Sequence, residues 1–214
     1  MEQAAIANRA GGTANGARPA EKTKLYSAHT ALMFGPVIAG TQVTLRPPDE
    51  SDPERFVTWF SDTAVTRYLK RPFPLAIDEE RAWFKATGES KTIVYWVIEA
   101  EGRAIGASGI HNIDWLNAHA TTGTVIGERS LWGRGYGSEA MRLRTDYAFR
   151  ELNLHKLTSG AFMENEPSKR ALQRIGYRET GIERQHLWRE GRWHDHWRCE
   201  ILRADWEALP KRAP

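Results

Sequence analysis

The chain has 214 residues, 41% of them hydrophobic and 27% charged, and a formal net charge of +3. That length suits one globular domain of ordinary size, or one domain plus a tail. So small a net charge, with no basic run of five or more, gives no reason to expect a nucleic-acid partner. No apolar run approaches the ~20 residues that a membrane-spanning helix needs, and the N-terminus lacks the apolar core of a signal peptide, so a cytoplasmic protein is expected. Cys199 is the single cysteine, which excludes an intramolecular disulfide. Its surroundings, Trp197-Arg198-Cys199-Glu200-Ile201, read as a strand with a packed thiol. Most of the nine tryptophans are expected in the core or in cleft walls.

Residues 1–33 are rich in Ala, Gly, Asn and Thr and read as a flexible extension, because they offer too little apolar surface to offset ordering entropy. A single domain over 34–210 is expected to follow. Residues 41–46 alternate as a strand and stop at Pro47-Pro48. Residues 52–60 suit a helix, with Ser51 or Asp52 as cap and Pro53 in its first turn. Residues 67–75 read as an aromatic-containing loop. Asp78 is expected to cap a second helix, with Glu79 and Glu80 in its first turn and Trp83-Phe84 on its apolar face.

The period then changes to two. Residues 92–99, 104–113 and 121–126 read as an antiparallel meander, with a turn at Glu101-Gly102 and with Asn117 and His119 in the next connection. A glycine-rich turn leads into a helix over about 135–151, whose apolar side includes Met141, Leu143, Tyr147, Ala148 and Phe149. Residues 156–162 form the next strand. That makes one parallel strand–Gly loop–helix–strand unit, with a right-handed crossover. Asn165-Glu166-Pro167-Ser168 opens a shorter helix that ends at Gly176. From Tyr177 two more strands follow, joined by a turn at Glu190-Gly191.

The stretch Trp132-Gly133-Arg134-Gly135-Tyr136-Gly137-Ser138 lies between a strand and a helix. Alternating glycines let backbone N–H groups converge without Cβ obstruction, and the helix N-terminus adds partial positive charge. The product is an anion site suited to phosphate or pyrophosphate; Arg129 and Arg134 lie nearby. A Walker A string is absent. The dinucleotide fingerprint Gly-x-Gly-x-x-Gly/Ala is matched with a blemish at Ser138, and it should open a series of parallel units rather than follow an antiparallel meander.

In this order and spacing the chain resembles the GNAT acetyltransferases, and within them the RimJ/RimL-like branch. The residues that carry the likeness are Val43-Thr44-Leu45-Arg46-Pro47, Ile126-Gly127 running into Trp132 to Ala140, Asn165-x-x-Ser168, Ile175-Gly176-Tyr177, and Gly191-x-x-x-Asp195 before Leu202-Arg203 and Trp206. The resemblance implies an α+β fold of layered α/β/α type. Its sheet is mixed, mostly antiparallel and seven-stranded, with helices on both faces. It also implies direct acetyl transfer from acetyl-CoA to a primary amine in a ternary complex. The acceptor is a protein or peptide N-terminus, or a small amine; a polyamine or aminoglycoside acceptor and a CoA-binding module without turnover are the alternatives. The lack of a concentrated acidic run in the helical segment favours the peptide or other small amine. A homodimer is implied, and no metal.

The same resemblance assigns the site. Backbone groups of Val125, Ile126 and Gly127 would pair with the pantetheine arm, while Trp132, Gly133, Arg134, Gly135, Tyr136, Gly137 and Ser138 hold the pyrophosphate. Asn165 would bond the arm from the other side. Two departures bear on proton transfer: Thr121 stands where many members carry a carboxylate, and Leu172 where many carry a tyrosine acid. The remaining candidates are Ser168 as donor to the thiolate, or simply as a helix cap; His111 as base, or simply as a satisfied sheet histidine; and Glu128. Tyr68, Phe73 and Trp188 are expected as acceptor walls or as rim packing. His194-Asp195-His196 places two histidines on one strand face with no third ligand apparent, which argues against a metal.

Overall fold

Residues 94–98 alternate between two apolar faces, and that alternation decides the layering. In the computed structural model, which describes residues 34–70 and 76–210, Val94, Trp96 and Ile98 enter one core while Tyr95 and Val97 enter another. In chain order the elements are β1 (Ile38–Ala39), β2 (Thr44–Arg46), α1 (Asp52–Phe60), α2 (Thr63–Thr66), α3 (Ile77–Glu89), β3 (Val94–Ala100), β4 (Arg103–Asp114) and β5 (His119–Ile126). Then come α4 (Tyr136–Arg150), β6 (Lys156–Phe162), α5 (Glu166–Arg174), β7 (Arg178–Arg189), β8 (Arg192–Leu202) and α6 (Arg203–Glu207).

The strands form one sheet in the order β1-β2-β3-β4-β5-β6-β8-β7. All neighbouring strands pair antiparallel except β5 and β6, whose crossover is α4. This is the expected α+β architecture, with eight strands rather than seven. The extra one is β1, whose two residues pair with Leu45 and Thr44 across a turn closed by Gly40 N–H to the Val43 carbonyl at 2.8 Å. Two residues are too few to show a period.

The core facing α4 and α5 holds Leu143, Ala148, Phe149 and Leu172 against Trp96, Ile105, Leu157 and Ile201. The other face packs α1, α2 and α3 through Phe56, Trp59, Val65 and Phe84 against Tyr95 and Val97. Helices therefore lie on both faces. Trp59, Trp96 and Trp197 are buried, whereas Trp115, Trp132, Trp188 and Trp193 are exposed, so fewer tryptophans serve the core than their number suggests. Cys199 is buried, and burial pushes its thiol up to about 12, as a packed cysteine requires.

Of the two residues expected to cap α1, Ser51 takes the N-cap position, though its side chain makes no capping bond, and the starts of α2 and α3 differ from expectation. Asp52 lies inside α1 and is 1% exposed. Its carboxylate accepts from both Arg46 Nη atoms (2.8 and 2.9 Å) and from Asp49 N–H (2.7 Å), so it ties α1 to β2 instead of capping. Asp78 sits in the first turn of α3, whose N-cap is Ala76; the Glu79 carboxylate accepts from Ala76 N–H at 3.3 Å. Asp62 caps α2, a four-residue helix too short for periodicity, by accepting from Ala64 N–H at 2.8 Å. His119, expected in a connection, begins β5.

Removing one partner of a buried ion pair strands the other. Asp52→Ala should therefore cost about 3 kcal/mol, at the low end because Arg46 keeps Glu99 at 3.0 Å. Urea unfolding measures this; an unshifted midpoint would show that Glu99 compensates fully.

Candidate active site

The site arises where the sheet opens. β5 and β6 pair through only three residues, His119–Thr121 with Lys156–Thr158. Beyond Thr121 the β5 edge leaves β6 while staying paired to β4 as far as Ile126. Gly127 and Glu128 both donate their N–H to the Ile105 carbonyl (2.9 and 3.1 Å), so two residues oppose one in a bulge at the end of β5. Because Gly127 N–H points to β4, the antiparallel alternation turns Ile126 N–H to the open edge. The Ile126 carbonyl is taken by the indole N–H of Trp132 at 2.8 Å.

Next to that edge stands the glycine loop. Gly133 has φ 78° and Gly135, the N-cap of α4, has φ 90°. Both angles are left-handed, so these two positions need glycine for the backbone itself. At Gly137 φ is ordinary, and an added Cβ would lie 3.5 Å from Ile126. The first N–H groups of α4 have no partner within the helix and face outward with the positive end of its dipole. Glu139 anchors the turn from behind: buried, it accepts from Thr41 and Gln42 N–H and so fixes the β1–β2 turn to the start of α4.

Split and loop open into one cavity of about 1260 Å³. Of the residues proposed from sequence, Val125, Ile126, Trp132, Gly133, Gly135, Tyr136, Gly137 and Ser138 line it, as do Asn165, Ser168, His111 and Tyr68. Gly127 instead packs against Trp59, and Arg134 pairs with Glu101 at 3.0 Å outside the cavity. Glu128 also lies off the wall, bonded to Ser130 and 3.7 Å from Arg103. Trp188 packs edge-on against Trp193 at 5.2 Å, away from the lining. Phe73 lies outside the described residues.

Three lining groups bear on proton transfer. His111 crosses from β4 over Gly109 and Gly123; a Cβ on Gly109 would sit 2.5 Å from its Nε2. Burial first, and the charge of Arg144 second, pull His111 down to about 4, so its imidazole is neutral at neutral pH. Asn165 caps α5, its Oδ1 accepting from Ser168 N–H at 3.3 Å, and Ser168 itself faces the cavity. Arg144, missed from sequence, is 1% exposed on α4. Its Nη1 donates to Ser108 Oγ, the Gly123 carbonyl and Thr124 Oγ1, at 3.2, 2.9 and 2.7 Å. The Tyr177 hydroxyl also supports its charge, but among the described residues no carboxylate is bonded to it, so a positive charge lies under the split strands. The signal was present: Arg144 is three residues from Met141 and four from Ala148, on the apolar stripe of its helix.

His194 and His196 do not act as a pair. Each has its own carboxylate, His194 Nδ1 lying 2.8 Å from Glu164 and His196 Nδ1 2.8 Å from Glu183.

The chain is similar to known proteins over most of its described length. Residues 42–178 match a family described as the acetyltransferase (GNAT) domain. An uncharacterized N-acetyltransferase, p20 of Bacillus licheniformis, is 28% identical over 172 residues, covering 77% of this chain and 95% of the relative. The alanine N-acetyltransferase of ribosomal protein uS5 from Escherichia coli (strain K12) is 28% identical over 108 residues, covering 50% of this chain and 55% of the relative. The crystal structure of spermidine N-acetyltransferase from Vibrio cholerae, in complex with CoA and spermine, superposes with a TM-score of 0.73 at 22% identity, covering 78% of this chain and 99% of the other. At that identity the likeness bears on the fold.

Proposed function

This chain belongs to the acetyltransferase (GNAT) domain family and is an acyltransferase, and from that premise we propose that it passes the acetyl group of acetyl-CoA directly to a primary amine bound in the same cavity. The observation that carries the reading is the junction of the open β5 edge with the N–H groups at the start of α4. An extended thioester arm can continue the sheet where β6 has left it, and its pyrophosphate meets Gly133, Gly135 and the first turn of α4. Holding both reactants in one cleft lowers the barrier by several kcal/mol.

His111, whose imidazole is neutral, takes the proton of the attacking amine, directly or through water, as the forming N–C bond acidifies that nitrogen. The amine nitrogen forms a bond to the thioester carbon and the C–S bond breaks; the Ser168 hydroxyl hydrogen-bonds the departing thiolate, which takes up the proton released through His111 or solvent. The outward N–H of Ile126 meets the charge that builds on the carbonyl oxygen. Arg144, charged and buried beneath, favours negative charge developing above it.

The lining also bears on the acceptor. Among the described residues its charged side chains are Lys70, Arg144, Arg170, Arg174 and Arg198, against one carboxylate, Glu80. Such a cleft repels a polycation, so a peptide N-terminus or another small amine fits better than a polyamine. The uS5 relative supports the peptide, and the spermidine enzyme represents the rival.

The test is free-thiol release from acetyl-CoA across short peptides, small amines and spermidine. Release with peptides or small amines exceeding that with spermidine at least about tenfold is expected, as ~1.4 kcal/mol of charge discrimination gives. Preference for spermidine would refute the acceptor reading. Saturable acetyl-CoA binding with no release from any amine would refute turnover.

A further inference from the structure

The β7–β8 hairpin carries a cluster that the acyl-transfer chemistry does not use. Glu183 stands directly across from His196 in the hairpin register. Its Oε2 lies 2.8 Å from His196 Nδ1. In a regular strand Glu183 and His186, three residues apart, would point to opposite faces. Here the register breaks between Glu183 and Leu187, and Gln185 adopts a positive φ of 50° with its N–H donating to Asp195 Oδ1 at 2.8 Å. The bulge turns His186 back beside Glu183, with Nε2 3.6 Å from the same carboxylate oxygen. The His186 and His196 rings lie 5.3 Å apart and 15° from parallel. One donor atom from each of the three residues lies within 4.8 Å of the other two. A left-handed non-glycine residue and an interrupted ladder both cost stability, and bulges of this kind re-aim side chains at sites.

We propose that Glu183, His186 and His196 form a three-donor site for a divalent transition-metal ion of the zinc class, which clamps the bulged hairpin behind the cavity wall. Two imidazoles and one carboxylate match zinc rather than magnesium or calcium, which take oxygen donors. Three protein donors leave a coordination position for water. His196 also lines the acyl-transfer cavity whereas Glu183 and His186 do not, so the ion holds the wall in shape from outside the reaction path. The cations facing the cluster are Lys70 and Arg198, the latter 4.0 Å from Glu183 with 36% of its side chain exposed, so it can swing into water when an ion enters. The absence of a metal expected from sequence considered His194 with His196; the register supplies different partners.

Calorimetric titration of zinc chloride into the chelator-treated full chain, with thermal unfolding in parallel, tests this. Expected are one ion per chain, a raised Tm with zinc but not with magnesium, and affinity at least about tenfold weaker in both His186→Ala and Glu183→Gln. His186 is half-exposed, so its variant keeps the fold; Glu183→Gln keeps size and provides a second reading. His119→Ala, at the stacked His119–His155 pair, is the control and should bind as the parent does. No saturable zinc binding by the parent, or parent-like affinity in both folded variants, would overturn the site.

Discussion

Gly135→Glu should weaken acetyl-CoA binding at least about a hundredfold while leaving a folded protein, as calorimetry and circular dichroism would read. Two effects add. Gly135 is the N-cap of α4 at φ 90°, where a side chain imposes on the order of 1–3 kcal/mol of backbone strain. The new carboxylate also sits where the loop gathers N–H groups toward a pyrophosphate, so like charges meet at close range. Space is not the obstacle, since an added Cβ at Gly135 comes no nearer than 4.0 Å to the Gln42 side chain. Gly135→Asn separates the two effects: asparagine tolerates the left-handed region and carries no charge, so it should retain most of the affinity. Undiminished binding by a folded Gly135→Glu would remove the loop from the pyrophosphate site.

His111→Gln should lower kcat by about 10²–10³-fold, the usual worth of a placed proton acceptor, with little change in KM for acetyl-CoA. The pH dependence identifies the role. A base held near 4 is deprotonated throughout the neutral range, so kcat at saturating amine should show no titration near the ordinary histidine value of 6.5, and none that His111→Gln removes. Stability follows the same group. Unfolded, the imidazole binds a proton at about 6.5, and folded only near 4; between these the unfolded chain holds more protons. Stability therefore falls as pH drops through that window, and His111→Gln should flatten the slope. Full kcat in His111→Gln would mean that the amine gives its proton to solvent.

Much of the fold was legible in the sequence because it rests on local periodicity. Seven of the eight strands, the helices at 52–60 and 135–151, and the glycine loop come from alternation, 3.6-residue spacing and turn residues. The misses were short or depended on distant partners. β1 and α2 are too short to carry a period. Asp52 carries the composition of a cap, yet Arg46 on β2 draws its carboxylate away. Within the site, the residues that line the cavity from one contiguous stretch were found. Glu128, just past the end of β5, and Trp188, on a strand of unknown orientation, were chosen for residue type and lie off the wall.

The sequence by itself determined the glycine loop at the start of α4, because left-handed glycines at a helix start are a property of a few adjacent residues. Periods of two and 3.6 likewise marked most strands and helices, while the layered architecture came from the resemblance to the GNAT family. Only the tertiary structure decided how far β5 and β6 stay together, and therefore that a cavity opens beside Ile126. It alone put Arg144 beneath the split, drew His111 over Gly109, and bent β7 so that His186 returns to Glu183 and His196. Those outcomes depend on register, strand divergence and burial between segments far apart in the chain, and no local pattern encodes them.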